Sequence, residues 1–447
     1  MDYQIQFDAS QHVGDRCYKH ADGITYQISE DGQYATVKAC ELEVVKADIA
    51  NEIAVDGNVY PVTTIGFAFN KKVNLKVVNI PSNVAKIGNL AFEDCNLDCL
   101  TIPANVTDIH WYAFYHCKVD KLFVNGCRGV DVSSFTSVEN LYYDTYDTLV
   151  NVGKRARGKN LFIGGEQVKV FVVPEGVTEL PSSLLSACKS VEEVVLPSTL
   201  KKIGDGAFSG CDNLKKINFP DGLEKIGSYA FSNCAISDVT LPASLTLINS
   251  GAFHTTKIES IDIPEGVEIG SSVFSCCYNL KSIKLPQSLT VIRGALLSNC
   301  MSLTEITIPE SVTAIEKEAF YGCKLTSLVL PAGLKTIGNE AFGFLPLTEI
   351  TIPASVTQIG EFVFEGCENL ATVRSLIENP AECEVAAFEY PARRAGTLTI
   401  PHGPSYEFGN EVFYKQATLY VPNAKGMVSA YKKKAPWKKF SSIVLSE

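Results

Sequence analysis

Proline recurs along this chain at a fixed step, and a fixed step of this length constrains the fold more than any other feature. Pro81 and Pro103 form a first series; Pro174, Pro197, Pro220, Pro242, Pro264, Pro286, Pro309, Pro331 and Pro353 form a second, and every step within a series is 22 or 23 residues. About eleven residues after each proline stands a large apolar side chain: Phe92, Phe114, Phe208, Phe231, Phe253, Phe274, Phe320, Phe342 and Phe364, with Leu185 and Leu297 as substitutes. In most copies a cysteine follows three residues later, as at Cys95, Cys117, Cys188, Cys211, Cys234, Cys277, Cys300, Cys323 and Cys367. A unit of this size cannot bury its apolar face alone. It stacks on its neighbours, so the chain is a solenoid and not a closed globular domain.

The copy from Leu196 to Phe219 shows what each position does. Its end, Leu214-Lys215-Lys216-Ile217-Asn218-Phe219, alternates toward a strand with Ile217 and Phe219 inward and Lys216 and Asn218 outward. Pro220 ends the strand because it has no N–H for the ladder. Ile203-Gly204 turns the chain, and Ala207-Phe208 forms an arc on the other side whose ring fills the coil. Cys211 sits at the return turn as a small buried thiol.

Proline, Ile-Gly, Ala-Phe, Cys, Leu and a short strand, in that order, resemble the leucine-rich repeat superfamily, and within it the BspA-type leucine-rich repeat. The resemblance covers residues 62 to about 376 and recurs roughly a dozen times, which makes it specific. It implies a right-handed solenoid with one short β-strand per coil, a β-rich N-terminal cap and an α/β C-terminal cap. It also implies a binding or adhesion protein, exported to a bacterial cell surface or secreted, with an intracellular scaffold or adaptor as the alternative. The start, Met1 to Phe7, carries neither a charged nor an apolar leader, so export implies a leader already removed.

Composition narrows the classes. A net charge of −11 argues against nucleic acid. No stretch approaches the 18 or so apolar residues a membrane helix needs. Of the 15 cysteines, nine are one-per-coil positions, and free buried thiols are the expectation for them; Cys17 and Cys40 leave a bond across the N-terminal module open. The six histidines form no metal spacing, although His110, His116 and Cys117 lie close in sequence. Adjacent acids such as Glu192-Glu193 fall on opposite faces of a strand, unsuited to paired acid–base work. No catalytic residue, cofactor or metal is expected, and the chain is read as a non-enzyme and a monomer.

Five segments follow. Residues 1–61 are an N-terminal β capping module, with a hairpin over Asp31-Gly32 and strands at Leu42–Val45 and Val59–Val62. Residues 62–144 are a first array and 145–168 an interruption ending in a hairpin over Gly164-Gly165. Residues 169–376 are a second array; residues 377–447 hold degenerate repeats and a cap with a strand at Ala417–Pro422, a helix over 424–434 and a run of lysines.

The outward strand positions are the candidate binding face. They vary in chemistry while the inward ones stay apolar: Lys216 and Asn218, Asp238 and Thr240, Asp262 and Lys284, Glu305 and Thr307. Any solvated strand face varies in this way, so the pattern permits recognition without requiring it. Glu193 beside Lys216, and Asp262 beside Lys284, are placed to pair across coils. Tyr142, Tyr143 and Tyr146 add an aromatic cluster suited to protein or sugar contacts, unless Tyr142 and Tyr143 pack into the degraded coil instead. A protein or glycan, such as an extracellular matrix component, is the expected partner.

Overall fold

The computed structural model describes residues 4–7, 11–125, 135–143, 158–377, 384–385, 418–421, 427–433 and 442–445. The chain divides into two units, Met1–Gly222 with Asn233–Ala235, and Leu223–Ser232 with Ile236–Glu447. Each is a β-solenoid, and the helix Met427–Lys433 is the only one among the described residues.

The repeat predicts one strand per coil; the structure has two. In the first unit one column of parallel strands runs Lys46–Asp48, Val77–Asn79, Asn96–Ile102, Lys118–Val124, Ser137–Tyr143 and Gly158–Ile163. A further set joins Val170–Val172, Glu193–Val195 and Lys216–Ile217. The second column is built from the segments ending in the Ile-Gly turn. Asn58–Ile65 pairs with Lys86–Ile87 and that with Asp108–Ile109, while Glu179–Leu180 pairs with Lys202–Ile203. The second unit repeats this with Lys225–Ile226, Leu247–Ile248 and Glu268–Ile269, then Val291–Ile292, Ala314–Ile315, Thr336–Ile337, Gln358–Ile359 and Glu384–Val385. Two residues per coil are too few to show a period of two, so only stacking reveals this column.

The outward-face column is less regular than expected in the second unit. Ser260–Asp262 pairs with Ser282–Lys284, and Glu349–Ile352 with Thr372–Ser375 and onward to Thr418–Val421 and Ser442–Leu445. The segments carrying Asp238, Thr240, Glu305 and Thr307 are extended without ladder pairing. Each such segment is short and ends on a proline, Pro242 or Pro309, which supplies no N–H, so a small splay suffices to open the ladder.

Between the second strand and the cysteine the chain forms the arc around the ring residue, and this side is hydrogen-bonded from coil to coil as well. In the coil after Pro286, Ala295, Leu297 and Asn299 donate their N–H groups to the carbonyls of Lys317, Ala319 and Tyr321 of the next coil. The outer two of these three have left-handed backbone, φ 54° and 60°. Ser272 and Cys276, Glu318 and Gly322, Glu340 and Phe344 flank their rings in the same way. Alternating left- and right-handed residues turn every second N–H to one side, which makes the ladder possible.

The buried positions are almost all apolar, the described exceptions being a few serines, Thr256 and Asn339. In the coil after Pro197, Leu200, Ile203, Phe208, Cys211 and Leu214 are fully buried, each large side chain contributing about 1.5–3 kcal/mol. Ile217 and Phe219, expected inward, are half-buried, where the strand shortens to Lys216–Ile217. The rings stack from coil to coil: Phe69, Phe92 and Phe114 at 5.1 Å centroid spacing, and Phe231, Phe253 and Phe274 at 5.5 and 5.8 Å.

At the N-terminal side, Ile24–Ile28 and Ala35–Cys40 form the hairpin read from Asp31-Gly32, and Glu52–Val55 turns through Asp56-Gly57 into Asn58–Ile65. The strand expected at Leu42–Val45 lies instead at Lys46–Asp48, where Ala47 can be buried while Leu42 and Val45 stay exposed. The first coil's two strand columns are each joined by a strand of this segment, Asn58–Ile65 on one and Lys46–Asp48 on the other. Gly158–Ile163 rejoins the parallel column directly after Ser137–Tyr143 and turns over Gly164-Gly165 into Glu166–Gln167.

Candidate binding face

Where the strands are paired, the outward residue sits between buried neighbours, as Asp262 does between Ile261 and Ile263 and Lys284 between Ile283 and Leu285. Lys216, Asn218, Asp238, Thr240, Asp262, Lys284, Glu305 and Thr307 are all exposed. Register sets Glu193 opposite Lys216 and Asp262 opposite Lys284, yet neither facing pair closes as an ion pair among the described residues. The ion pairs form elsewhere, at positions that sequence reasoning passed over. Lys169 reaches Glu192 at 3.3 Å and Lys281 reaches Glu259 at 2.7 Å, one residue before the column that holds Glu193, Lys216 and Ser282; Lys189 reaches Asp212 at 2.9 Å at the turn. These carboxylates are neutralised across coils. Asn218 is partly engaged, its Oδ1 accepting from the Leu196 N–H at 3.3 Å.

The tyrosines separate. Tyr142 stands on the strand face between Phe123 and Phe162, stacked on each at 4.4 Å. Beside this ridge an amide ladder runs from Asp120 through Asn140 to Asn160, with bonds of 3.0 and 3.1 Å. Tyr143, one residue on, points the other way and is 3 % exposed, because a strand alternates its faces. It belongs to the core and is unavailable to a partner. Tyr146 lies outside the described residues, as do Lys434, Trp437, Lys438 and Lys439 of the C-terminal segment.

The described cysteines are all free, Cys17 and Cys40 included. Most of the one-per-coil thiols have a shared task, while Cys117 and Cys188 instead meet the Lys118 carbonyl and the Ser190 hydroxyl. Cys211 Sγ donates to the Leu185 carbonyl at 3.1 Å, Cys300 to Phe274 at 3.2 Å and Cys323 to Leu297 at 3.1 Å, each time the ring residue one coil back. That carbonyl already accepts the N–H of its own coil's cysteine, so the thiol fills its second lone pair. Burial pushes the Cys95 thiol up to about 11 and Cys367 to about 12, which keeps them protonated and unreactive. At Thr256 a hydroxyl stands in the thiol's place but donates at 2.9 Å to Phe253 of its own coil, not to the ring residue one coil back.

Among the described residues no group of three or more His, Cys, Asp or Glu side chains is placed to hold a metal ion, and no helix is long and apolar enough to cross a membrane. His116 Nδ1 lies 3.2 Å from Asp94, and His110 faces Trp111 and Tyr112; neither turns toward Cys117, which is buried.

A family model for six copies of the BspA-type leucine-rich repeat region matches residues 63–192, 178–304 and 295–420. The chain belongs to the BspA-type leucine-rich repeat family. A leucine-rich repeat protein from Bacteroides ovatus is 26 % identical, with 79 % of this chain and 94 % of that one covered at a TM-score of 0.55. A leucine-rich cell surface protein from Faecalibacterium prausnitzii is 23 % identical over 82 % and 96 % of the two chains, at a TM-score of 0.45. The pneumococcal vaccine antigen PcpA is 20 % identical over 98 % and 100 %, also at 0.45. No curated protein matches the chain. BspA-type proteins generally bind or adhere and are generally not enzymes.

Proposed function

We propose that this BspA-type protein is a non-enzymatic binding protein that holds a protein or glycan through the outward strand face of a right-handed solenoid, as a monomer at the cell surface or secreted, with its two end segments serving as caps. The reading rests on one observation: the buried positions of the described coils are almost all apolar, whereas the outward strand positions, Lys216 in the first unit and Asp238, Asp262, Lys284 and Glu305 in the second, are exposed and unlike in chemistry. Lys216 and Lys284 carry most of the argument, since Lys169 and Lys281 are spent on cross-coil pairs. The purified chain is screened by biolayer interferometry against extracellular matrix proteins and immobilised glycans. A ligand found in this way should bind at least tenfold more weakly to the Lys216→Glu, Lys284→Glu double variant, and unchanged binding would remove the strand face from consideration.

One observation favours a second reading, an intracellular scaffold: every described cysteine is unpaired, the state that a reducing compartment maintains. Labelling of intact producing cells with a membrane-impermeant biotin reagent separates the two. Labelled protein supports the surface, and protein labelled only after lysis supports the scaffold.

A further inference from the structure

The repeat supplies its own control for which surface residues the fold requires. At the four arc positions flanking the ring residue the other coils carry small or polar side chains with at most one aromatic among them, as in Asp205, Gly206, Ser209 and Gly210 around Phe208, or Ser271, Ser272, Ser275 and Cys276 around Phe274. Around Phe114 the same four positions are Trp111, Tyr112, Tyr115 and His116, and the glycine of the Ile-Gly turn is replaced by His110. Three of the lone aromatics elsewhere have a packing reason, since Tyr229 covers Gly251, Tyr321 covers Gly343 and Phe344 covers Gly366, and the exposed Phe67 and Phe362 stand singly in their coils. Packing needs one ring per coil at most, so a run of five is surplus to the fold.

These rings are exposed and touch one another. Trp111 is 71 % exposed, Tyr112 43 % and Tyr115 42 %. Trp111 stacks on Tyr112 at 4.5 Å, Tyr112 meets Tyr115 edge-on at 5.5 Å, and Tyr115 stacks on His116 at 4.0 Å. The chain of contacts ends on a charge, His116 Nδ1 lying 3.2 Å from the Asp94 carboxylate. At the other end the Trp111 indole N–H points at His110 Nε2, 3.2 Å away. The platform is therefore pre-organised, with little side-chain freedom left to lose on binding.

We infer that Trp111, Tyr112, Tyr115, His116 and Asp94 form a carbohydrate-binding platform, on the arc side of the coil and separate from the strand face. The chemistry selects the ligand. A pyranose has an apolar face of C–H groups and a rim of hydroxyls. Trp111 engages Tyr112 by one face and leaves most of its ring to solvent, which suits stacking against C–H groups. The phenol hydroxyls, His116 and Asp94 supply donors and acceptors at the rim. A protein docking patch would add aliphatic neighbours; here the equivalent positions one coil back are Asn89, Leu90, Glu93 and Asp94, mostly polar. Several rings in series suit an oligosaccharide rather than a single sugar.

The chain holds two tryptophans, Trp111 and Trp437, so Trp437→Phe leaves Trp111 as the sole reporter. In that background the full chain is titrated with a panel of soluble polysaccharides: a β-glucan, a mannan, a starch and a mucin O-glycan fraction. Saturable change in Trp111 emission is expected with at least one. Affinity electrophoresis in the wild-type background should then show at least tenfold weaker binding for Trp111→Ala and for Tyr115→Ala, and no change for Tyr142→Ala on the strand face. Because Trp111 is exposed, Trp111→Ala should keep the wild-type thermal midpoint. Emission unmoved by every polysaccharide would overturn the platform, as would Trp111→Ala retaining affinity within twofold, or a protein ligand competing where no sugar binds. Lys216→Glu, Lys284→Glu leaves this site intact, so failure of the strand-face reading and failure of this one are told apart.

Discussion

At the scale of single residues, the thiol ladder explains why cysteine and not alanine or leucine occupies its position. The site is buried, so a polar donor there must have a partner, and the ring carbonyl one coil back has a free lone pair to offer. Cys95 donates to Phe69 O at 3.0 Å, and burial raises its pKa to about 11 from near 9. The raised value has a defined sign. Below pH 9 the thiol is neutral in both states and its full contribution is present. Above 9 the unfolded chain ionises first, so the contribution falls until the folded thiol also ionises near 11, by about 1.4 kcal/mol for each pH unit between. At pH 7.5, Cys95→Ala should cost about 1–2 kcal/mol through the lost volume and hydrogen bond. Guanidinium unfolding of both proteins at pH 7.5 and 10.5 measures the difference, which should shrink or vanish at the higher pH; a constant difference would mean that the thiol is not held neutral. The buried thiol was legible from its spacing. Its acceptor was not, because the carbonyl it serves lies 26 residues away in another coil.

At the scale of the coil, two glycines in one arc do different work. Gly204 has ordinary backbone, but a Cβ there would lie 2.6 Å from the Leu180 oxygen and from the backbone of Pro181 and Ser182. Gly210 has φ +75°, with its nearest neighbour, Ala187 Cα, at 3.5 Å. The first is excluded by close approach of backbones and the second only by its dihedral. Gly204→Ala should therefore cost about 3 kcal/mol as the coils are forced apart, and Gly210→Ala about 1 kcal/mol of left-handed strain. Urea midpoints at equal m-value check the order, and the reverse ranking would reject this account of the turn. The same contrast explains what sequence reasoning reached at this scale. Ile-Gly was readable as a turn because glycine marks it. The left-handed backbone at Ser183, Ala187, Ala295 and Asn299 was not, since nothing in those side chains demands it; the ladder to the next coil does. The aromatic run at 110–116 carried a signal that was available, six rings where the same stretch of other coils has at most two, but it shows only when the copies are aligned by arc position instead of by strand position.

At the scale of the molecule, the coils are interchangeable wherever their junctions match. Pro286-Gln287-Ser288-Leu289-Thr290-Val291-Ile292 and Pro309-Glu310-Ser311-Val312-Thr313-Ala314-Ile315 occupy equivalent places, and Val291–Ile292 pairs in register with Ala314–Ile315. Removing Gln287 through Pro309 joins Pro286 to Glu310 and so presents each remaining coil with a neighbour of the kind it already has. In a solenoid, stability is the sum of unit and nearest-neighbour terms, so this deletion should lower the thermal midpoint by a few degrees and leave the β circular dichroism per residue unchanged. Removing only Gln287 through Leu297 sets Pro286 against Ser298 and turns inward positions outward; that protein should not fold cooperatively. The whole-coil deletion also takes away Glu305 and Thr307 while touching nothing near Trp111. Polysaccharide binding by the arc platform should then persist in a molecule one coil shorter, whereas a ligand that spans the strand face from Lys284 across Glu305 should be lost. If the whole-coil deletion unfolds, or the half-coil deletion does not, the coils are not equivalent units, and neither surface could be assigned to one coil independently of the rest.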